Sequence, residues 1–279
     1  MSFRTALSGF ALCCSATAAP WLAAAAQDSR QVEIGYEITY LGMAGFRIDV
    51  TARYEGGRYD IETSTFKNGV LKAVTMNYAG RNRAWGGFTN AGAQPTAGSL
   101  SIVVGDKTRT WSAQYGAGGS LREAHNPDWK PPSPQQAIPE RDRLGSLDPL
   151  SAGVTAGLAG DAACDRTLPT NDGKRRVDVI LRKLRTEPAS ASGIAGAQGE
   201  VLVCEVSTRR VAGEFYDAAK ESEAERERPV RIWFARLDNT PVRYPARLEA
   251  ELAIGTAHGR MLWFRERPMS PQESQAMRK

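Results

Sequence analysis

The stretch Leu-Gly-Ser-Leu-Asp-Pro-Leu-Ser-Ala-Gly-Val-Thr-Ala-Gly-Leu-Ala-Gly-Asp-Ala-Ala-Cys, residues 144–164, lies between two long runs of alternating apolar and polar residues. Asp148 directly before Pro149 is the arrangement expected where a helix begins. Three apolar residues follow at helical spacing: Leu150, Val154 and Leu158. The stretch therefore predicts one short apolar helix, from Asp148 to Gly160, with strands on both sides of it.

On the N-terminal side, the first strand pattern places alternate residues on one face: Val32, Ile34, Tyr36, Ile38 and Tyr40. Strand patterns follow at 46–51 and 58–63, and tight turns that contain glycine join these three strands into an antiparallel meander. Further strands are predicted at 83–88, 100–104 and 108–115, with a loop around Pro95. The segment from Phe66 to Tyr78 fits either a strand or a short helix.

On the C-terminal side, a proline-rich connector over 125–142 leads into the helix, and Asp172-Gly173 predicts a hairpin turn. Five strand patterns come after the turn, at 175–184, 200–208, 230–237, 241–252 and 259–264. The small residues of 189–199 predict a loop, and the charged residues of 213–228 predict an exposed helix or a mobile excursion. No internal repeat is visible.

Many antiparallel strands in two runs around one helix predict an all-β protein. Such a sheet avoids exposed edges by curling. We therefore expect a curled sheet, as an open barrel or a half-barrel, with one short central helix and few other helical pieces.

The first 26 residues have the composition of a secretory signal: one positive charge at Arg4, a short apolar run and small residues up to Ala26. Cleavage before Gln27 would leave a single β-rich domain over 27–268 and a disordered tail over 269–279. No later apolar run approaches the roughly 20 residues of a spanning helix. The sequence thus predicts an exported protein of the bacterial periplasm that does not span the membrane.

Two cysteines, Cys164 and Cys204, remain after the predicted signal. An even number of cysteines in an oxidising compartment predicts a disulfide between them. A redox pair is disfavoured because the two residues do not form a Cys-x-x-Cys motif. Two cysteines with almost no histidine also make a poor metal site.

A catalytic group is hard to assemble from this sequence. Ser151 lies outside a Gly-x-Ser-x-Gly motif, and the two histidines, His125 and His258, are predicted in surface loops. Asp148 and Asp172 could form a carboxylate pair for glycoside chemistry, but a helix cap and a hairpin turn explain them more simply. No glycine-rich motif for a nucleotide follows a strand. Taken together, these observations lead us to expect no enzyme activity, no cofactor and no metal.

The formal net charge of +5 falls to about +4 when Arg4 leaves with the signal. The charges are dispersed, so a solvated surface is favoured over a nucleic-acid site, and export makes nucleic acid an improbable partner. Four tryptophans fall in strand patterns: Trp85, Trp111, Trp233 and Trp263. They are either core residues or the lining of an apolar groove that could contact an acyl chain.

Five segments together resemble the bacterial family of exported domains of unknown function numbered 3108. They are Tyr36-x-Ile38-x-Tyr40 with Gly45, Asp148-Pro149-Leu150-Ser151-Ala152, Cys164-x-Arg166-Thr167-Leu168-Pro169, Asp172-Gly173-x-Arg175-Arg176, and Val203-Cys204-x-Val206 with Ala212-Gly213. The resemblance covers nearly the whole chain after the signal. It implies a periplasmic β-rich domain, and it implies no catalytic or binding residues.

We therefore expect a cell-envelope protein whose curled sheet encloses a groove for a lipid or another hydrophobic ligand. The alternative is a structural or protein-interaction module that docks an envelope partner through its sheet edges and the charged 213–228 excursion. The oligomeric state does not follow from the sequence.

Overall fold

The two runs of alternating residues form one antiparallel sheet that is nearly closed into a barrel. The computed structural model describes residues 29–73, 77–125, 137–213, 230–238, 240 and 242–278. Within these residues the sheet has 13 strands: β1 (Arg30–Tyr40), β2 (Met43–Glu55), β3 (Arg58–Lys67), β4 (Tyr78–Thr89), β5 (Gly92–Val104), β6 (Lys107–Tyr115), β7 (Leu121–His125), β8 (Arg166–Asn171), β9 (Arg175–Pro188), β10 (Ala197–Gly213), β11 (Val230–Leu237), β12 (Arg243–Glu251) and β13 (Thr256–Pro268).

Short helices connect or cover the strands. The α-helices of the described residues are α1 (Pro149–Leu158), α2 (Ala189–Ser192) and α3 (Pro271–Arg278). The 3₁₀ turns are Gly69–Ala73, Ala117–Gly119, Glu140–Asp142 and Gly160–Ala162. The fold class predicted from the sequence, an all-β curled sheet with one short central helix, is confirmed.

The strand order is β7-β6-β5-β4-β3-β2-β1-β13-β12-β11-β10-β9-β8, so β1 and β13, the first and last strands of the described residues, pair in the middle of the sheet. Their register runs from Arg30 opposite Pro268 to Tyr40 opposite Ala257, with a shift after Gly35. The indole of Trp263 lies directly on Gly35, where any side chain would collide with it. This seam joins two meanders that are otherwise built from neighbours in sequence.

The two edge strands, β7 and β8, are joined by the segment that precedes α1. The amide of Leu121 in β7 donates to the carbonyl of Arg143 at 3.1 Å. On the other side, the amide of Leu147 donates to Pro169 at 2.7 Å, and Asn171 returns a bond to Leu147 at 2.8 Å. Because this segment bonds to both edges, it satisfies edge groups that would otherwise be open to pairing with another chain.

Helix α1 forms as the sequence predicts. The side chain of Asp148 caps it by accepting from the amides of Leu150 at 2.9 Å and Ser151 at 3.0 Å. The helix ends before Gly160, whose φ of 55° favours glycine. Val154 and Leu158 on its buried side join the main apolar core together with β1, β11 and β12. Helix α1 is therefore an internal element on the concave side of the sheet.

The disulfide between Cys164 and Cys204 forms as predicted, with 5.7 Å between the two Cα atoms. Cys164 follows α1 and Cys204 lies in β10, so the bond ties the internal helix to the sheet. Both residues are buried in a second apolar cluster that includes Leu168, Leu202 and Phe234.

Several local predictions need correction. Strands β7 and β8 were not expected, and Pro95 lies within β5 rather than in a loop. It is tolerated there because the register with β4 shifts at Gly86, which marks a bulge. The ambiguous segment from Phe66 to Tyr78 holds the end of β3, a 3₁₀ turn and the start of β4, and its residues 74–76 lie outside the described residues.

The tail over 269–279 was predicted to be disordered, but residues 271–278 form α3. Glu273 in its first turn receives two bonds from Arg267, at 2.7 and 2.9 Å, and Met269 is buried. The loop predicted over 189–199 contains the short helix α2. The predicted signal over 1–26 and residues 214–228 of the charged excursion lie outside the described residues.

Candidate ligand-binding cavity

An apolar cavity of about 300 Å³ lies between α1 and the strands around the seam. Strands β1 and β2 supply alternate side chains to it, as the period of two along a strand requires. Its apolar lining includes Val32, Ile34, Ile38, Ile48, Val50 and Ala52. The apolar face that the alternation predicted for β1 is thus the wall of a cavity, apart from Tyr40.

A second cavity of about 470 Å³ shares four lining residues with the first: Pro149, Gly153, Ile232 and Pro245. Its other walls come mostly from β8, β9 and β10, where Val177, Val179 and Leu181 are apolar. Polar side chains lie at its rim, among them Asp172, Arg175 and Arg210. The two spaces therefore adjoin along α1, and the second is the more polar of the two.

Gly153, which lines both cavities, has open space where a side chain would be. No atom lies within 4 Å of the position that its Cβ would occupy. Gly157, one turn later, differs: a Cβ there would stand 2.8 Å from the carbonyl oxygen of Arg243 in β12. The helix thus approaches β12 closely at Gly157 and leaves space at Gly153.

Two arginines reach the lining of the first cavity, and both are paired. The guanidinium of Arg243 lies 2.6 Å from Asp161 and also donates to the carbonyl of Glu200 at 2.6 Å. Arg247 pairs with Glu249 and lies 4.6 Å from the ring centre of Trp233. The pairing neutralises both charges, so the space suits an uncharged, apolar group.

Three tyrosines, Tyr36, Tyr54 and Tyr244, supply the aromatic part of this lining. Burial raises the pKa of Tyr54 to about 12 and raises the pKa values of Tyr36 and Tyr244 well above 10. All three phenols are therefore neutral at physiological pH. The hydroxyl of Tyr244 has no hydrogen-bond partner among the described residues.

A buried polar group lies beside the start of α1. The hydroxyl of Tyr59 is 2.6 Å from that of Ser151, which also bonds to the carboxyl of Asp148. Each of the three is at most 1 % exposed. Burial raises the pKa of Asp148, against the opposing effect of hydrogen bonds from Ser151 and Leu150. This network serves the helix cap, in agreement with the simpler interpretation of Asp148.

The other candidate chemical groups occupy structural positions. Asp172 accepts from the amides of Lys174 at 3.0 Å and Arg175 at 2.7 Å, which makes the predicted turn between β8 and β9. His125 ends β7 and is exposed, and His258 lies in β13 with its Nδ1 3.7 Å from Glu249. Both histidines were expected in loops and instead lie in strands.

The structure does not bring the four tryptophans together, and none lines the 300 Å³ cavity. Trp85 and Trp263 are more than one-third exposed, because strand alternation directs them away from the concave side. Trp233, between Ile232 and Phe234 in the sequence, is buried, and its Nε1 donates to Glu187 at 2.9 Å. Trp111 lines a neighbouring pocket of about 260 Å³.

Sequence reasoning missed the tyrosines and Gly153 as parts of the cavity. Tyr36 could have been found, because it lies on the same face of β1 as Ile34 and Ile38. Nothing in the local sequence marks the space beside Gly153. In the described part of the chain, no group of three or more histidine, cysteine, aspartate or glutamate side chains could hold a metal ion. None of the helices described is both long and apolar enough to cross a bilayer.

These features define a class of antiparallel, barrel-like proteins that hold an internal helix and an apolar cavity beside it. Within that class, the chain belongs to the family described as "Protein of unknown function (DUF3108)", which matches residues 31–261. The resemblance noted in the sequence is thereby confirmed.

Among solved structures, the chain is similar to the hypothetical protein CT021 from Chlamydia trachomatis. The likeness covers 86 % of this chain and 89 % of that one, at 9 % identity and a TM-score of 0.31. No curated protein matches this chain.

Proposed function

We propose that this is an exported, non-enzymatic protein of the cell envelope that holds a hydrophobic ligand, such as an acyl chain, between α1 and the sheet. The observation that carries the proposal is the 300 Å³ cavity lined by alternate apolar residues of β1 and β2. Pockets for small ligands measure roughly 300–1,000 Å³ and are mainly apolar.

The adjoining second cavity supports an elongated ligand. The two spaces share Pro149 and Gly153, so a chain that enters one can continue along α1 into the other. The polar rim at Asp172, Arg175 and Arg210 would then suit the polar end of an amphipathic molecule. Burial of a charged or polar group without hydrogen-bond partners costs free energy, so that end would stay at the rim.

Export is supported by the disulfide and by the composition of the first 26 residues. Disulfides persist in oxidising compartments such as the bacterial periplasm. The alternative function, docking of an envelope partner, relied on the sheet edges and on the charged excursion. Both edge strands, however, make hydrogen bonds to the segment before α1, and residues 214–228 of the excursion lie outside the described residues.

The test is native mass spectrometry of the protein purified without detergent from the cells that make it. The wild-type protein should carry a hydrophobic molecule, and Gly153→Leu should lose it because leucine occupies the space that Gly153 leaves. Gly153→Ala is the matched control, since one methyl group fills little of that volume.

A fluorescent fatty-acid probe gives the second measurement. Its affinity for Gly153→Leu should fall at least tenfold relative to Gly153→Ala, while near-UV circular dichroism shows that both variants are folded. A wild-type protein that carries no hydrophobic molecule and binds no probe would refute the proposed function.

A further inference from the structure

Exposed apolar side chains concentrate at one end of the barrel. Five of the eleven large apolar side chains that are exposed among the described residues lie on three neighbouring turns. We call them the apolar tip: Leu41, Met43, Val70, Leu252 and Ile254. They belong to the β1–β2 turn, the 3₁₀ turn after β3 and the β12–β13 turn. Their exposed fractions range from 45 % at Leu252 to 71 % at Ile254.

The three turns support one another. Leu41 packs on Gly255, where an added Cβ would stand 2.6 Å from the leucine side chain. The hydroxyl of Tyr40 donates to the carbonyl of Ile254, and the amide of Asn68 donates to that of Gly45 at 2.8 Å. The apolar tip is therefore a built surface, held in place by contacts between strands that are distant in sequence.

A row of charged side chains crosses the same strands behind the tip. Glu37 in β1 is paired in register with Arg47 in β2 and with Arg260 in β13, and its carboxylate lies 2.7 Å from Arg260. Leu41 lies four positions after Glu37, which corresponds to about 13 Å along a strand. Closer to the tip, Glu251 directly precedes Leu252 and is paired with Arg231 at 3.7 Å. Paired charges therefore border the apolar side chains of the tip.

A lipid surface fits these dimensions better than a second protein. Stable protein interfaces engage roughly 20–30 residues on each partner, and the tip offers five large apolar side chains on turns. Apolar side chains of interfacial proteins enter a bilayer by about 5–10 Å, with charged groups left at the headgroups. Lys72, exposed beside Val70, adds a positive charge suited to anionic lipids.

We infer that the apolar tip inserts into the surface of a bilayer that contains anionic lipid, with the row of Glu37, Arg47 and Arg260 at headgroup level. The inference goes beyond the ligand cavity and does not depend on it. Strands β1 and β12 end at the tip and β2 begins there. The same strands wall the cavity through Ile38, Ile48 and Leu248. A docked protein would therefore hold the cavity close to the bilayer.

The test is flotation of the purified protein with vesicles of phosphatidylethanolamine and phosphatidylglycerol in a 3:1 ratio. Wild type should float with the vesicles, and the triple variant Leu41→Ser, Met43→Ser, Ile254→Ser should bind at least tenfold more weakly. The matched control replaces Leu184 and Leu262 by serine, because these residues are exposed to a similar degree on strands away from the tip. It should bind as wild type does.

Lys72→Glu should weaken binding to these vesicles more than to vesicles of phosphatidylcholine alone. The inference would be overturned if the tip variant bound vesicles as wild type does, or if wild type bound neither kind of vesicle. A wild-type dimer in sedimentation velocity that the tip substitutions dissociate, without vesicle binding, would overturn it in favour of a second copy. Fatty-acid probe binding in solution should be unchanged in the tip variant, which separates this test from that of the cavity.

Discussion

Two glycines one turn apart in α1 are expected to respond in opposite ways to the same substitution. Alanine at Gly153 meets no atom and should stabilise the helix by about 1 kcal/mol, the difference in helix propensity. Alanine at Gly157 would press on the carbonyl of Arg243 and should cost about 1–3 kcal/mol as β12 shifts. Urea unfolding of the two variants measures both values, and changes of equal sign would contradict the account of α1.

Asp148 is expected to make stability depend on pH. Its pKa in the folded state is raised above the ordinary 3.8, mainly by burial, so its favourable contribution is complete below the pKa of the unfolded chain and is lost as pH rises through the folded pKa. Asparagine can also cap the helix and cannot ionise.

The difference in the free energy of unfolding, Asp148→Asn minus wild type, should therefore increase as pH rises above about 4, by at most ~1.4 kcal/mol per pH unit. Denaturant titrations of both proteins at a series of pH values measure the difference. A difference independent of pH would show that the carboxyl does not titrate differently in the folded protein.

Among single residues, the helix cap and the turn were predictable from the sequence, and the positions of the tryptophans were not. The cap at Asp148 and the turn at Asp172 could be predicted because each depends on residues within three positions of itself. The positions of the tryptophans relative to the cavity could not, because they depend on which face of each strand turns inward. One residue of register decides that choice.

Among the structural elements, the link between α1 and β10 is expected to matter most for stability. The disulfide between Cys164 and Cys204 spans 40 residues of sequence. Closing a loop of this length restricts the unfolded chain by about 4 kcal/mol in the loop-entropy model. The double variant Cys164→Ala, Cys204→Ala should lose up to that amount in guanidinium unfolding.

The control for the disulfide is wild type unfolded in the presence of reductant, which should match the double variant. An unchanged midpoint in both cases would mean that the bond does not form in the folded protein. Unfolding of the wild type without reductant supplies the reference midpoint.

The strands that sequence reasoning missed are the two edges of the sheet. The residues of β7, Leu-Arg-Glu-Ala-His, show little alternation, and β8 contains Pro169. Both strands pair with a neighbour on one side and make hydrogen bonds to the 143–147 segment on the other: β7 donates to it, and β8 both donates and accepts. Such strands are stabilised by their place in the sheet more than by their own pattern, so a local reading does not detect them.

For the whole molecule, the sequence predicted a curled antiparallel sheet around one helix because alternation and tight turns recur along the chain. Near-closure through the segment before α1 was not predictable. It depends on the carbonyl of Arg143, which accepts from β7, and on Leu147, which exchanges hydrogen bonds with β8. The cavity was expected only as a groove. Its position under α1 follows from the packing of Val154 and Leu158 against strands from both meanders.

The pairing of β1 with β13 imposes an order on assembly. Strand β1 gains one of its two neighbours only after more than 200 further residues have been synthesised, because β13 runs from Thr256 to Pro268. Until then Arg30 to Tyr40 presents unsatisfied amides and carbonyls, a template for aggregation that a cell would need to shield. A premature stop before Thr256 would accordingly leave the edges of β1 and β12 without the strand that joins them in the native sheet.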